Sequence, residues 1–499
     1  MLNNVSHIVG TKESSEILYD TNFGYIFEYL SNCNDHLLPE GCKTIEHLKK
    51  LGEMMADMGS PSDPQVNLDS TIPAVYTYLG QFIDHDITAR TDRDSEFQNL
   101  DEPEKIKPLH PREVVANLKN GRRPQLDLDS LFGEGPSFNS KYSAQADKLF
   151  NNTSLNLFIE DSPSGYLDLR RNNKKALIAD ARNDENLIVS QLHGVFIKLF
   201  NKINTAIEPG LSNHEAYCRA RQLTRWAYQY VVVNDYLLQV CDSAVVSDVT
   251  SNGPFFFNTH IPFMPLEFSV AGFRFGHSMI RPFYQINDTT SKKIMEILGP
   301  GMNGLVDGTG KLKPENVVKW SNFSSFNNAT PTNLARKIDP FIAKGLFDLS
   351  VLGEGVPMPP NVLASLTQRN LLRGYMLSIP VGQAVAEAMR ITPLTHQELV
   401  EGLNEEQECV LYDSGFTART PLWYYVLQES KVQQDGNRLG YVGSKLVAET
   451  LYGLVKGDFN SYLNNHDDNA VTPEGILLPD RPDPIKTISD IFSYAEVAI

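Results

Sequence analysis

Apolar residues recur at helical spacing in several long stretches of this 499-residue chain, and this pattern constrains the fold more than any other feature. It predicts helices over 185–203, 220–240, 332–349, 383–391 and 439–455. No evenly spaced series of alternating strands competes with them. The sequence therefore predicts a mainly α fold with long ordered loops and little β structure. The stripe over 185–203 consists of Leu192, Phe196, Leu199 and Ile203.

The size of the chain allows one large domain, because 499 residues with 41% apolar content can bury a large core. Residues 1–68 are polar with short apolar patches, so we expect an N-terminal arm wrapped on the main body. Residues 69–499 are predicted to form the single helical domain. At its start, Ser70 and Thr71 offer a helix cap and Pro73 fits the first turn of the helix that follows.

Charge and targeting signals narrow the possible partners. With 44 Lys and Arg against 61 Asp and Glu, the net charge is −17, which disfavours nucleic acid and anionic membranes. No stretch approaches the roughly 18 apolar residues of a membrane span. The N-terminus lacks the pattern of a signal peptide, and five scattered cysteines fit reduced thiols. We expect a cytoplasmic protein, with export without a cleavable signal left open.

Four polar clusters contain the residues that could carry chemistry: GQFIDHD (80–86), ADARNDEN (179–186), FRFGHS (273–278) and TQRNLLRGYML (367–377). On a helix, Gln81 and His85 project from one face, and the apolar lead-in predicts that His85 is buried and needs a partner. Two readings of the first cluster are a capped polar turn and a metal-dependent hydrolase that uses Asp84, His85 and a third carboxylate. Its spacing matches neither a His-Glu-x-x-His helix nor a Cys/His finger.

Taken together, the clusters resemble the active-site signatures of the animal-type haem peroxidases, the peroxidase-cyclooxygenase superfamily. GQFIDHD, DARNDEN and FRFGHSMIRPF resemble the three best-defined signatures, and NLLRGYMLSIP resembles the asparagine-arginine segment behind the proximal histidine. They occur in the family's order. Framework segments such as NGRRPQLDLDSLFGEGP and TPLWYYVLQES extend the resemblance over roughly residues 70 to 460, closest in style to the bacterial members.

The resemblance implies a role for each matching residue around a haem b group. His277 would be the proximal iron ligand, with Asn370 holding its other ring nitrogen. On the opposite haem face His85 would be the acid/base that moves a peroxide proton. Arg182 would stabilise the charge that develops as the oxygen–oxygen bond stretches, and Gln81 would orient a water or a small anion. Arg373, one turn after Asn370, and Arg274, before the proximal histidine, are the remaining cofactor-binding residues.

The acidic residues have separate implied roles. Asp84 and Glu185 occupy the places of the residues that form ester links to haem methyl groups in the family. Asp86 resembles a calcium ligand, and carboxylate oxygen suits that hard cation. The family's second calcium segment is not recognisable in residues 151–175. Position 186 holds asparagine where the most oxidising mammalian members have a methionine linked to haem, so chloride oxidation is not implied.

Position 274 separates the subclasses, because fatty-acid dioxygenases and cyclooxygenases carry a radical-forming tyrosine there and this chain carries arginine. We therefore expect a peroxidase that uses hydrogen peroxide to oxidise small donors, phenols or halides. A haem-dependent fatty-acid dioxygenase is the alternative within the superfamily, and a catalytically idle haem protein or a haem-free hydrolase are alternatives outside it. His193, on the apolar helix after Arg182, is predicted to be a core histidine with a hydrogen-bond partner.

Overall fold

The computed structural model describes residues 21–56, 68–89, 106–136, 148–161, 167–172, 174–207, 210–299, 304–347 and 365–497. Within these ranges, none of the helices combines the length and the apolar character needed to cross a lipid bilayer.

Helices form the framework, and the prediction of a mainly α fold is confirmed. The helices predicted over 185–203, 383–391 and 439–455 are present as α4, α8 and α11. In the described chain the helices of seven residues or more are α1 (Cys42–Met54), α2 (Val75–Ile87), α3 (Pro111–Asn117), α4 (Leu187–Ala206), α5 (Asn213–Val231), α6 (Ser243–Asn252), α7 (Leu366–Met376), α8 (Gly382–Ala388), α9 (Glu405–Ser414), α10 (Leu422–Gln434), α11 (Tyr441–Gly457) and α12 (Ile488–Tyr494).

Strands are short and pair mostly in twos. In chain order they are β1 (Thr21–Gly24), β2 (Asp69–Pro73), β3 (Lys119–Asn120), β4 (Glu160–Asp161), β5 (Leu167–Asp168), β6 (Arg171–Asn172), β7 (Lys175–Ala176), β8 (Met264–Pro265), β9 (Phe283–Gln285), β10 (Ser291–Lys293), β11 (Leu334–Arg336), β12 (Val471–Thr472) and β13 (Gly475–Ile476). Strand β1 lies between β3, its antiparallel partner, and β8, its parallel partner. The other pairs are β2 with β11, β4 with β5, β6 with β7, β9 with β10 and β12 with β13.

The helix predicted to carry GQFIDHD is present as α2, but one predicted helix and one predicted helix cap are wrong, and the same strand pair is involved in both. The segment predicted as a helix over 332–349 instead contains β11, and the predicted cap at Ser70, Thr71 and Pro73 lies in β2. These strands pair antiparallel, and the Ser70 hydroxyl donates to the Ala335 carbonyl at 2.9 Å. Periodicity within one segment does not reveal a backbone partner far along the chain.

The helix predicted over 220–240 is present with a wide turn in it. After α5, Val232–Tyr236 form a π-helix and Leu237–Val240 return to α geometry. The wide turn brings Asp235 and Tyr236, which are consecutive, to α2. Asp235 accepts a hydrogen bond from the Tyr76 hydroxyl, and a Cβ atom at Gly80 would lie only 2.6 Å from the Tyr236 hydroxyl oxygen. Such insertions frequently accompany functional sites.

The core around α2 is aromatic. Phe82 stacks on Phe196 of α4, with ring centroids 4.8 Å apart and an interplanar angle of 9°. Tyr228 of α5 meets both rings edge-on. Every residue of α2 except Gln81 is buried. The polar side chains of GQFIDHD must therefore find their partners inside the protein, because an unpaired buried polar group is costly.

The described part of the predicted N-terminal arm contacts the main body through α1 and the segment before it. The Thr367 hydroxyl of α7 donates to the Gly52 carbonyl of α1 at 2.8 Å. The Tyr25 hydroxyl donates to the Leu377 carbonyl at 2.6 Å. The domain boundary at residue 68 stays a prediction.

Candidate active site

A cavity with an empty volume of about 870 Å³, here called the inner cavity, collects residues from three of the four polar clusters. Helix α2, the 3₁₀ turn Gly272–His277 and the residues before α4 supply its polar lining. Apolar side chains such as Phe273 and Leu298 supply much of the rest. The cluster residues that line it are Gly80, Gln81, Asp84, His85, Glu185, Phe273, Arg274, Gly276 and His277.

Helix α2 presents Gln81 and His85 to the inner cavity because residues four apart lie on one helix face. Asp84, beside them, accepts a hydrogen bond from the Thr88 hydroxyl at 3.0 Å. Its other carboxylate oxygen lies 3.8 Å from Nη1 of Arg274. This ion pair joins α2 to the turn that carries His277.

His85 is held in one orientation by an amide. Its Nδ1 lies 2.8 Å from Oδ1 of Asn183. An amide oxygen only accepts, so Nδ1 is protonated and donates a hydrogen bond to this oxygen. Burial and the nearby Arg182 guanidinium together lower the pKa of His85 to about 4. The ring is therefore neutral at neutral pH, with a free electron pair on Nε2. A base of this kind can accept a proton from a molecule in the inner cavity.

Asn183 also joins His85 to His193. The Asn183 side-chain nitrogen donates to Nδ1 of His193 at 3.0 Å, and both residues are buried. The prediction that His193 is a core histidine with a partner is confirmed. The role of Asn183 is a feature that sequence reasoning missed. Its place directly after Arg182, within DARNDEN, was the available signal.

Arg182 does not border the inner cavity. Its guanidinium makes an ion pair with Asp180, and Nη2 donates to the His85 backbone carbonyl at 2.7 Å. Among the described residues, Nη1 of Arg182 has no hydrogen-bond partner. Asp180 also pairs with Arg122, and these two guanidinium groups hold the pKa of the Asp180 carboxyl well below its usual range, against the opposing effect of burial. Arg182 therefore contacts the backbone of His85 and lies close enough to its ring to lower the pKa of His85.

His277 lies at the end of the 3₁₀ turn Gly272–His277 and is held from behind by α7. The side-chain amide of Asn370 lies 2.9 Å from Nδ1 of His277. An iron bound through Nε2 would leave the proton on Nδ1, and a half-turn of the amide then presents Oδ1 to accept it. Burial lowers the pKa of His277 to about 3, so the imidazole is neutral and able to bind a metal. Arg373, one turn after Asn370, is buried in the same helix.

The residues around the inner cavity fit a porphyrin. Two neutral imidazoles border one apolar space, and a Cβ atom at Gly276 would meet no described atom within 4 Å. In the described chain, Oε2 of Glu185 is buried and has no hydrogen-bond partner. Burial, together with the charge of Asp180, raises the pKa of Glu185 well above its usual value. A buried carboxyl with an unused oxygen suits a polar or covalent contact to a cofactor.

A second acidic group lies behind α2. One carboxylate oxygen each from Asp86, Asp127 and Asp129 lies within 4.8 Å of the other two, and all three residues are buried. Asp86 accepts hydrogen bonds from the Leu128 backbone and from Ser130, and burial raises its pKa. In the described part of the chain, Asp127 and Asp129 therefore supply the carboxylates that accompany Asp86. The calcium role of Asp86 stays a prediction.

A sequence profile and several solved structures show which proteins this chain is similar to. A sequence profile of the animal haem peroxidase family matches residues 127–476. Peroxidase A of Dictyostelium discoideum superposes over 97% of this chain and 97% of its own, with a TM-score of 0.62 and 13% identity. Two fatty acid alpha-dioxygenases also superpose. The one from Arabidopsis thaliana covers 92% of this chain and 76% of its own, with a TM-score of 0.64 and 14% identity. The one from Oryza sativa covers 89% and 77%, with a TM-score of 0.61 and 13% identity.

No curated protein matches the sequence. The structural likenesses, at such low identity, show a shared fold. The profile match covers well over half of the chain, from Asp127 to Ile476, and includes the turn of His277 and the helix of Asn370. The chain therefore belongs to the animal haem peroxidase family, within the peroxidase-cyclooxygenase superfamily.

Proposed function

We propose that this chain is a peroxidase that binds haem b in the inner cavity, reduces hydrogen peroxide and oxidises small phenols or halides. The observation that carries the proposal is the pair of histidines on one cavity. His277 is held from behind by Asn370, and His85 is held by Asn183 with Nε2 free. One imidazole is thus prepared to bind iron and the other to move a proton.

When bound, haem would supply the iron that binds peroxide and takes up its two oxidising equivalents. His277 would hold this iron through Nε2. Nε2 of His85 would accept the proton of the peroxide oxygen nearer the iron and return it to the outer oxygen, which leaves as water. Two donor molecules would each give one electron and one proton, so that hydrogen peroxide is converted to two waters.

Arg182 and Gln81 would assist the same proton transfer. Arg182 would fix the His85 backbone through the 2.7 Å bond to its carbonyl, and its charge keeps the ring neutral when peroxide arrives. Gln81, on the same face of α2, would orient peroxide or a water beside His85. Direct contact between Arg182 and peroxide would require the guanidinium to leave Asp180.

Peroxidase chemistry is proposed over fatty-acid oxygenation because of position 274. Arg274 borders the inner cavity, pairs with Asp84 and donates from Nε to the Ser269 carbonyl at 2.8 Å. Position 274 therefore lacks a tyrosine that could form a radical. The dioxygenase neighbours make fatty-acid oxidation the second candidate. It predicts oxygen uptake with an unsaturated fatty acid without added peroxide.

Haem attachment and a cation belong to the same proposal. Glu185 would form an ester to a haem methyl group through its unused oxygen, the methyl carbon giving up one hydrogen and two electrons overall to hydrogen peroxide, which is reduced to water. Asp84, already paired with Thr88 and Arg274, is the second candidate for such a link. The group Asp86, Asp127 and Asp129 would hold calcium. Of these three buried carboxylates, Asp129 lies 3.3 Å from Nη1 of Arg122 and Asp127 lies 3.4 Å from Nη1 of the partly exposed Arg123, and a divalent cation would offset the remaining charge.

The test compares His85→Ala with His260→Ala, a control at an exposed histidine. Both variants should bind haem. Mixing with peroxide should shift the Soret band of the wild type and of the control at the same rate. In His85→Ala the shift should slow by about 10² or more, which is the scale of general acid–base catalysis. Unimpaired reaction of His85→Ala with peroxide would reject the role given to this residue.

A further inference from the structure

Tyr76 borders two cavities at once. It lines the inner cavity with Gly80 and Asp84, which follow it at intervals of four residues on α2. It also lines a second cavity with an empty volume of about 1010 Å³, here called the outer cavity, together with Asp235, Gln239 and Phe326. The outer cavity reaches the surface at the exposed residues 327–328. One phenol ring therefore separates the proposed haem site from a pocket open to solvent.

The Tyr76 hydroxyl has a proton acceptor at hydrogen-bond distance. It donates to Oδ1 of Asp235 at 2.7 Å, and the Ile488 backbone donates to Oδ2 at 2.9 Å. Burial raises the pKa of Asp235 to about 6, so this carboxylate is mostly charged at neutral pH. Burial and the charge of Asp235 also raise the pKa of Tyr76, which stays a neutral phenol.

This pair has the arrangement that one-electron oxidation of a tyrosine requires. A phenol that loses an electron becomes strongly acidic, so the oxidation is feasible in a protein interior only if the proton can leave at the same time. Asp235 can accept that proton without any other movement. Tyr76 lies nine residues before His85 on α2, which is about 13 Å along the helix axis. The ring of Tyr236, centred 6.4 Å from that of Tyr76, also borders the inner cavity.

We propose that Tyr76 carries oxidising equivalents from the inner cavity to the outer cavity, where it oxidises phenolic donors too large to reach the haem. This inference rests on the proposed peroxidase function. In each cycle Tyr76 gives one electron to peroxide-oxidised haem and its proton to Asp235. A donor phenol in the outer cavity then returns one electron to the tyrosyl radical and releases its own proton to water. Asp235 gives the first proton back to Tyr76.

The outer cavity indicates the class of donor. Hydroxyl and amide groups line it, including Thr71, Ser325 and Asn328, and so do two carboxylates, Asp490, which pairs with Arg481, and Asp235, which makes no ion pair within the described residues. Neutral or cationic phenols with several hydrogen-bonding groups suit such a surface. Halide ions do not, and they would be oxidised in the inner cavity.

The experiment uses holoenzyme of the wild type, Tyr76→Phe and the control Tyr78→Phe. Tyr78 is a fully buried tyrosine of α2 that borders neither cavity. Each protein is mixed with peroxide, frozen within milliseconds and measured by electron paramagnetic resonance. In parallel, turnover of iodide is compared with turnover of a phenol attached to a soluble polymer. The Soret shift is recorded for every sample.

We expect a tyrosyl radical in the wild type and in Tyr78→Phe, and its loss in Tyr76→Phe. The ratio of polymer-phenol turnover to iodide turnover should fall at least tenfold in Tyr76→Phe and stay unchanged in Tyr78→Phe. Asp235→Asn, which keeps the phenol and removes the proton acceptor, should lower the radical yield. An unchanged radical and an unchanged ratio in Tyr76→Phe, with a normal Soret shift, would overturn this inference alone. A wild type whose Soret band does not respond to peroxide would overturn the proposed function as well.

Discussion

The Asn183→Asp substitution tests the source of His85 basicity. In the wild type, the oxygen of the neutral Asn183 amide accepts a hydrogen bond from Nδ1 of His85. Burial keeps the pKa of His85 at about 4. The rate of reaction with peroxide should therefore be constant from neutral pH downwards. It should fall only as the pH drops through about 4, because protonated His85 can no longer accept a proton.

An aspartate at position 183 would place a negative charge at hydrogen-bond distance from the ring. An opposite charge this close raises the pKa of a buried histidine by about 1 to 3 units, or about 1.4 to 4 kcal/mol in favour of the charged ring. The fall in the rate of reaction with peroxide at low pH should move to higher pH by roughly the same 1 to 3 units. His193 can adapt by carrying its proton on Nδ1 and donating to the new carboxylate.

The assay is stopped-flow measurement of the Soret shift with peroxide between pH 3 and pH 8. Asn186→Asp is the matched control, because it adds the same charge three residues away. Asn186 caps α4 by accepting from the Ile188 backbone at 2.8 Å, a role that aspartate also fills, and it does not contact His85. The assignment of that pKa to His85 would be refuted if the rate in Asn183→Asp fell at the same pH as in the wild type. It would also be refuted if the fall in rate moved by the same amount in both variants.

Three further outcomes are expected. Glu185→Gln should make haem extractable by acidified organic solvent if the wild-type haem resists extraction, and mass spectrometry of the haem-bearing peptide identifies the linked residue. Added calcium should raise the melting temperature of the wild type and of Asp467→Asn, an exposed control, but not that of Asp129→Asn. Phe82→Ala should lower the free energy of unfolding by about 3 to 5 kcal/mol in urea titration, because it removes a stacked ring from the core. Phe459→Ala, at a position 84% exposed, should change it by less than about 0.5 kcal/mol.

Helical periodicity and local motifs predicted a large part of this molecule. The spacing of Gln81 and His85 was enough to place both on one face of a helix, and the apolar run before them was enough to predict burial. The apolar stripe of α4 could be predicted from the residues of that helix alone. Features of this kind depend on neighbours three or four positions away, which the sequence displays directly.

Contacts between distant segments could not be predicted in this way. Asn183 lies 98 positions from His85, and nothing in either segment alone shows that an amide oxygen meets the ring. The carboxylates of Asp127 and Asp129 join Asp86 only because the chain folds back on α2. The same holds for β2 and β11, whose mutual pairing overrides the helical pattern of 332–349.

The proposed position of haem between His277 and His85 is tested most directly by replacing the side chain of the proposed iron ligand with hydrogen. His277→Gly, purified without haem and then supplied with it, should lack the histidine-ligated iron spectrum, and added imidazole should restore that spectrum by binding in the space left by the ring. His85→Gly should retain the histidine-ligated spectrum without imidazole. A histidine-ligated spectrum in His277→Gly before imidazole is added, or its loss in His85→Gly, would contradict this arrangement of the site.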